Sequence, residues 1–181
     1  ITDSAKRFGV EKSKFVDAAL KQPQLFYQSP ETLDKNITDS AKRFGVEKSK
    51  FVNAALKQLP LFCQSPETLD KNITDSAKRF GVEKSKFVDA ALNKPQLFCQ
   101  SPETLDKNIT ESAKRFGVEK SKFVDAALKQ PSLFCQSPET LDKNITESAK
   151  RFGVEKSKFV DAALRKPSLF NRSPETLDKN I

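Results

Sequence analysis

Residues 29–64 read SPETLDKNITDSAKRFGVEKSKFVNAALKQLPLFCQ, and nearly the same 36 residues recur along the whole chain. Rows of 36 residues are identical at 28 of their 36 positions. A period of roughly 20 to 50 residues is typical of repeat proteins, in which one unit is too small to bury a core alone. The repeats are therefore expected to stack. We call each set of equivalent positions a column and name it after its first residue in the chain.

Each repeat opens with a predicted helix, helix A, from about Pro30 to Phe44. Ser29 suits the N-cap, Pro30 the first helical position, and Glu31 the positive end of the helix dipole. An apolar stripe at helical spacing follows, formed by Leu33, Ile37, Ala41 and Phe44. Gly45 is expected to end the helix in the left-handed conformation.

A second helix, helix B, is predicted from Glu47 to about Gln58. Its apolar face comprises Phe51, Val52, Ala55 and Leu56. Either Glu47 or Ser49 suits its cap. In the first row Pro23 ends this helix, and the following residues suffice only for a turn or a short 3₁₀ segment, which we call segment C. In the second row the proline moves to Pro60, so helix B is expected to run one residue longer there.

With each repeat taken to begin at the Ser29 column, the sequence predicts an all-α fold. This fold is an α-solenoid or superhelix of five near-identical repeats, each with two α-helices and a short 3₁₀ segment. The single array of residues 1–181 divides into a partial unit 1–28, full units 29–64, 65–100, 101–136 and 137–172, and a stub 173–181. Solenoids normally need polar terminal caps, and both ends here expose core positions. We therefore expect a fragment of a longer protein. End-to-end self-association of the truncated array is an open alternative.

The composition argues against a membrane-spanning protein and against an enzyme. The chain is 36% hydrophobic and 31% charged, as in globular proteins, and no apolar run approaches the roughly 20 residues that a bilayer requires, so no membrane role is expected. It has no His, no Gly-rich phosphate loop and no carboxylate pair distinct from the repeat background. The sequence predicts no catalytic residue, metal site or cofactor, and we expect the protein not to be an enzyme.

Three cysteines, Cys63, Cys99 and Cys135, share one column. Packed helices lie about 8 to 10 Å apart, so equivalent Cα atoms of successive units should exceed the roughly 7 Å limit for a disulfide. We therefore predict free thiols. They favour a reducing intracellular compartment over secretion, although localisation stays open.

A basic cluster surrounds the turn between helices A and B. Stacking would extend it into a ridge of twenty cations suited to a polyanion. The predicted nucleic-acid-binding residues are Lys6, Arg7, Lys12, Lys14, Lys42, Arg43, Lys48, Lys50, Lys78, Arg79, Lys84, Lys86, Lys114, Arg115, Lys120, Lys122, Lys150, Arg151, Lys156 and Lys158. The acidic residues concentrate near the start of helix A, at Glu31 and Asp34, so the charges are expected to be partly segregated. Stabilisation of the helix dipole alone explains the same cations without any ligand.

Six of the eight variable columns lie in the stretch 21–28 of each row. In modular readers of nucleic acid, a few variable positions on a fixed scaffold read the sequence. The candidate specificity positions are Tyr27, Gln28, Cys63, Gln64, Cys99, Gln100, Cys135, Gln136, Asn171 and Arg172. Drift in a tolerant connecting segment explains this variation equally simply. The Phe8, Phe15 and Phe26 columns suit base stacking or core packing, and core packing is favoured.

The run from Ser29 to Phe62 resembles the repeat of the mitochondrial transcription termination factor (mTERF) family. The likeness consists of a helix, then Phe44-Gly45-Val46 where that family has Leu-Gly-Val or Leu-Gly-Leu, a second helix, and a Pro followed by large apolar residues. It covers the whole chain, repeat by repeat. The resemblance implies a curved superhelix that binds double-stranded DNA or RNA along a basic groove. The Lys42, Arg43, Lys48 and Lys50 type cations would then contact the nucleic acid.

These observations predict a nucleic-acid-binding helical-repeat protein, with double-stranded DNA favoured over RNA. Phosphate contacts would come from the repeated Lys and Arg, and base preference from the variable stretch. The alternative is a protein-interaction scaffold or effector with no nucleic-acid role, which would use the concave surface that solenoids provide.

Overall fold

A computed structural model describes residues 1–178, which form helices and tight turns with no strand among them. Helix A spans Thr2–Phe8, Pro30–Phe44, Pro66–Phe80, Pro102–Phe116 and Pro138–Arg151 in the successive repeats, and Pro174–Asp178 in the stub. Helix B spans Lys12–Lys21, Lys48–Lys57, Lys84–Asn93, Lys120–Lys129 and Lys156–Arg165. Segment C spans Gln24–Tyr27, Leu59–Phe62, Gln96–Cys99, Pro131–Phe134 and Pro167–Asn171. The predicted all-α, solenoid-like repeat architecture is confirmed.

Helix A has the ends that the sequence predicts. The Ser29 hydroxyl accepts a hydrogen bond from the Thr32 amide at 3.1 Å, which satisfies an amide that has no partner within the helix. At the other end Gly45 adopts φ 65°, a left-handed conformation that costs Gly little. The Val46 amide then donates to the Ala41 carbonyl at 3.0 Å and closes the helix.

Helix B begins at Lys48, and Glu47 holds the N-cap position without a capping hydrogen bond from its side chain. The extra residue expected in the second repeat is wrong, because helix B ends at Lys57 as it ends at Lys21 in the first. The backbone leaves the helical region at Gln58, whose φ and ψ are −133° and 82°. The Leu61 amide bonds back to the Gln58 carbonyl at 3.0 Å, and Leu25 bonds to Gln22 in the same way. Helix B thus ends at the same column in the two repeats, and the same backbone bond follows it, whichever residue is proline.

Segment C differs in detail from the expected 3₁₀ segment. It is a 3₁₀ helix in the second, fourth and fifth repeats, but a single α-helical turn at Gln24–Tyr27 and Gln96–Cys99. An amide of helix A holds this segment in place: Asn36 donates to the Phe62 carbonyl at 3.2 Å. The bond recurs from Asn72, Asn108 and Asn144 to Phe98, Phe134 and Phe170.

The core of each repeat is completed by its neighbour. Phe62 of segment C packs against both Phe8 and Phe15 of the preceding repeat, with ring centroids 5.1 and 5.6 Å away, and is fully buried. Phe8 and Phe15 are themselves 5.7 Å apart, so the three rings form a triangle. Phe98 packs in the same way against Phe44 and Phe51. We call the ring of segment C the Phe wedge and the pair on which it packs the slot. The same packing joins Phe134 to Phe80, and Phe170 to Phe116 and Phe123.

The chain divides into two compact units. The first comprises Ile1–Ala77 with Glu83–Gln100, and the second comprises Lys78–Val82 with the residues from Ser101 onward. In each unit, helix A packs on helix A of the adjacent repeat and helix B packs on helix B. The surface of a repeat therefore has a helix A side and a helix B side.

Candidate functional site

The Arg7 column joins successive A helices. Arg7 donates to Glu31 at 2.6 Å, across 24 residues, and to Asp3 at 3.1 Å. The equivalent pairs are Arg43 with Glu67, Arg79 with Glu103, Arg115 with Glu139, and Arg151 with Glu175. Each pair links the negative end of one helix dipole to the positive end of the next, with the complementary charge at each end. These arginines therefore have a structural partner.

The Lys12 column joins helix B to helix A of the same repeat. Lys48 donates to the Asp34 carboxylate, and the equivalent pairs are Lys84 with Asp70, Lys120 with Asp106, and Lys156 with Asp142. The Lys48 ammonium also lies 5.9 Å from the ring centroid of Phe8 in the preceding repeat, a cation–π distance. One ammonium thus contacts both helices of its own repeat and the slot of its neighbour.

These pairs correct the predicted charge segregation. Glu31 and Asp34, expected to lie apart from the cations, are bonded to Arg7 and Lys48 respectively. The Arg7 and Lys12 columns therefore do not form part of an unpaired basic ridge in the full repeats. Lys12 itself lies in the partial first repeat and is exposed.

The Lys6 and Lys14 columns remain exposed, and within the described residues 1–178 they form no ion pair at 4.0 Å or less. In the fourth repeat Lys114 and Lys122 line one cleft, together with Gly117 of the A–B turn. A Cβ at Gly117 would meet nothing within 4 Å, so the turn is open on this side. The fifth repeat contributes Asp161 and Leu164 of its helix B to the same cleft. We call this arrangement the lysine cleft.

A second depression lies on the helix A side. It is lined by Glu147, Lys150 and Arg151 of the fifth repeat and by Glu175 of the stub, so acidic and basic groups are balanced. The helix A residues of a full repeat, such as 30–44, contain three acidic and three basic side chains. The positive excess of a full repeat therefore lies outside helix A, in helix B and the residues that flank it.

Two of the candidate specificity positions, Asn171 and Cys99, bond to residues of the preceding repeat. Asn171 donates to the Ser132 hydroxyl of the preceding repeat at 2.6 Å. Burial raises the pKa of the Cys99 thiol to about 11, and a hydrogen bond with Gln58 of the preceding repeat opposes that rise. Tyr27 is 89% exposed and Arg172 is exposed, whereas Cys63, Cys99 and Cys135 are half-buried. The side-chain oxygens of Gln28, Gln64, Gln100 and Gln136 are buried without a hydrogen-bond partner.

The aromatic columns belong to the core, as favoured from the sequence. Phe15, Phe51 and Phe98 are fully buried and unable to stack on bases, and Phe26 of the first repeat is an exception at 48% exposure. Cys63, Cys99 and Cys135 form no disulfide within the described residues.

Sequence reasoning missed the Asp17 and Leu20 columns, which supply Asp161 and Leu164 to the lysine cleft. A signal was present, because the Asp17 column is one of only two variable columns outside the stretch 21–28.

No protein-family model matches the chain, and neither does any curated protein at a significant level. Across residues 1–178, none of the helices combines the length and apolar character needed to span a bilayer. In the same range, no three potential metal-ligating side chains gather in one place.

Proposed function

We propose that this chain is a nucleic-acid-binding helical-repeat protein, with double-stranded DNA favoured over RNA, and that it contacts phosphates from its helix B side. The observation that carries the proposal is that some cation columns are ion-paired while others are exposed. The Arg7 and Lys12 columns are tied into ion pairs in the full repeats, while the Lys6 and Lys14 columns are exposed. Two of these exposed residues, Lys114 and Lys122, line a cleft beside helix B.

The chemistry of these lysines suits a polyanion. A Lys ammonium is a compact charge on a flexible stem and binds phosphate without demanding a fixed geometry. Repetition of the same lysine pair suits a ligand that itself repeats, and DNA carries about one negative charge per 1.7 Å of its axis. The net charge of +8 has the required sign.

The resemblance to the mTERF repeat supports the same ligand class, since it implies double-stranded DNA or RNA along a basic groove. The lysine clefts would contribute to that groove. Base preference from the variable stretch would depend on its exposed members, which include Tyr27 and Arg172.

Matched sets of charge-neutralising variants test the proposal. The helix B set replaces the Lys14 column by Gln in the full repeats, at Lys50, Lys86, Lys122 and Lys158. The control set removes the same number of charges from the helix A side, at Lys35, Lys71, Lys107 and Lys143. Affinity for a DNA duplex is measured by mobility shift between about 50 and 200 mM salt. The helix B set should reduce the slope of log K against log salt by about 0.9 for each phosphate that is no longer bound, and the control set much less.

Absence of DNA binding at low salt would overturn the proposal, and so would an equal loss in the two sets. The rival function is a protein-interaction scaffold. The charge-balanced helix A side favours it, because paired acids and bases suit a protein partner better than a polyanion. Under that alternative, binding to a partner would depend little on salt and would be weakened by the helix A set.

A further inference from the structure

The lysine cleft between the fourth and fifth repeats contains its own competing anions. Lys114 and Lys122 share it with Glu119 and Asp161, so two carboxylates face two ammonium groups. A phosphate entering this cleft is repelled by Asp161 and Glu119, which offset the charge of the two lysines. Electrostatic attraction for an anion is therefore weak at this position.

One cleft differs in this respect. The Asp17 column carries Asp in four repeats but Asn53 in the second. The other variable column outside the stretch 21–28 exchanges Asp for Glu, at Asp3 and Glu111 for example, and so keeps its charge. Outside that stretch, the change at Asn53 is thus the one substitution that alters the charge of a repeat.

The first and second repeats pack as the fourth and fifth do. Phe62 fills the slot of the first repeat as Phe170 fills that of the fourth. Leu56 is partly buried, as Leu164 is, whereas Leu20 of the first repeat is 66% exposed. The Leu20 column is therefore covered by the preceding repeat in both pairs. By the same packing, the equivalent cleft between the first two repeats would bring Lys6 and Lys14 to Asn53.

We propose that the cleft formed by Lys6, Lys14 and Asn53 is a phosphate-binding site, and that it binds phosphate more tightly than the clefts closed by Asp89 or Asp161. This inference rests on the proposed function and names where its strongest contact lies. Two ammonium groups face the single carboxylate of Glu11, so the cleft keeps a net positive charge. The Asn53 amide nitrogen donates a hydrogen bond to a phosphate oxygen, where an aspartate would repel it.

Exchanges within the Asp17 column test the site, because both residues already occur in this fold. Asn53→Asp should weaken binding of a labelled DNA duplex roughly tenfold at low salt and lower the salt slope by about 0.9. Asp161→Asn should tighten binding severalfold. The matched control is Glu67→Gln, which removes one carboxylate from the helix A side of the third repeat. It should leave affinity within about twofold, since charges beyond roughly 10 Å are screened near 0.1 M salt.

The outcomes separate the inference from the function on which it rests. If DNA binds but Asn53→Asp changes affinity no more than Glu67→Gln does, the inference is overturned and the proposed function stands. An NMR titration with inorganic pyrophosphate examines the cleft without DNA, with the Asn53 side-chain amide identified by its loss in Asn53→Asp. A shift of that resonance at lower pyrophosphate concentration than any at the other clefts is expected. If the chain fails to bind DNA yet shows this shift, the proposed function is wrong and the phosphate site remains; absence of the shift overturns the site.

Discussion

Phe26 and Phe62 occupy the same column and the same position in segment C, but their surroundings differ. Phe62 is fully buried against two rings of the first repeat, whereas Phe26 is 48% exposed. The slots differ as well: Phe44 and Phe51, on which a wedge packs, are tilted by 36°, while Phe152 and Phe159 of the fifth repeat stack nearly parallel at 7°. A repeat therefore does not bury its own wedge, and the stable unit of this fold is the interface between two repeats.

The largest expected effect is on the free energy of unfolding, and it tests this difference in burial. Phe98→Ala empties the slot formed by Phe44 and Phe51 and should lower the free energy of unfolding by about 3 to 5 kcal/mol. Phe26→Ala, the same change in a half-exposed position, should cost less than about 1 kcal/mol. Urea denaturation followed by circular dichroism measures both. Equal losses would show that neighbouring repeats do not supply the burial.

A smaller effect is expected from the turn that shapes the slot. Gly45→Ala places a Cβ on a residue with φ 65°, where nothing lies within 4 Å, so the cost is backbone strain without a clash. We expect a loss of about 1 to 2 kcal/mol. Gly45→Asn should lose less, because Asn tolerates the left-handed region. Thermal unfolding of the two variants gives the comparison, and a greater loss for Asn than for Ala would contradict it.

The ion pairs on the helix A side should contribute less still. Arg43 and Glu67 join two repeats at an exposed position, and exposed pairs contribute about 0.2 to 1 kcal/mol. A double-mutant cycle with Arg43→Gln and Glu67→Gln should give a coupling energy in that range, and the coupling should shrink at high salt. A coupling energy above about 2 kcal/mol, well outside the range for exposed pairs, would contradict the expectation.

The last prediction concerns the rate at which Cys99 reacts with an alkylating reagent. Burial disfavours the thiolate and raises the pKa of Cys99 to about 11, so little nucleophile is present near neutral pH. Iodoacetamide labelling of Cys99, followed by mass spectrometry, should be slow at neutral pH and accelerate as the pH rises towards about 11. In urea the labelling rates of Cys99 and Cys63 should converge. Rapid labelling of folded Cys99 at neutral pH would contradict its burial.

Local features of this fold were predictable from the sequence, since they depend on neighbouring residues. Ser29, Pro30 and Gly45 fix the ends of helix A, and the periodic apolar residues identify the core. The partners of the cations were not predictable in the same way. Arg7 meets Glu31 across 24 residues, an ion pair that exists only once successive A helices pack side by side. The prediction for the end of helix B was wrong because it depended on the proline position, whereas the backbone leaves the helix at Gln58 and so places segment C.

The wedge and the slot also bear on how such an array can change in length. Every full repeat presents a single ring on one side and a pair of rings on the other, so an additional copy joined in register meets both requirements at once. Unequal exchange between near-identical gene segments would then add or remove whole 36-residue modules while the fold persists. Selection could then change the number of repeats, and with it the length of the binding surface, without changing the core of any repeat.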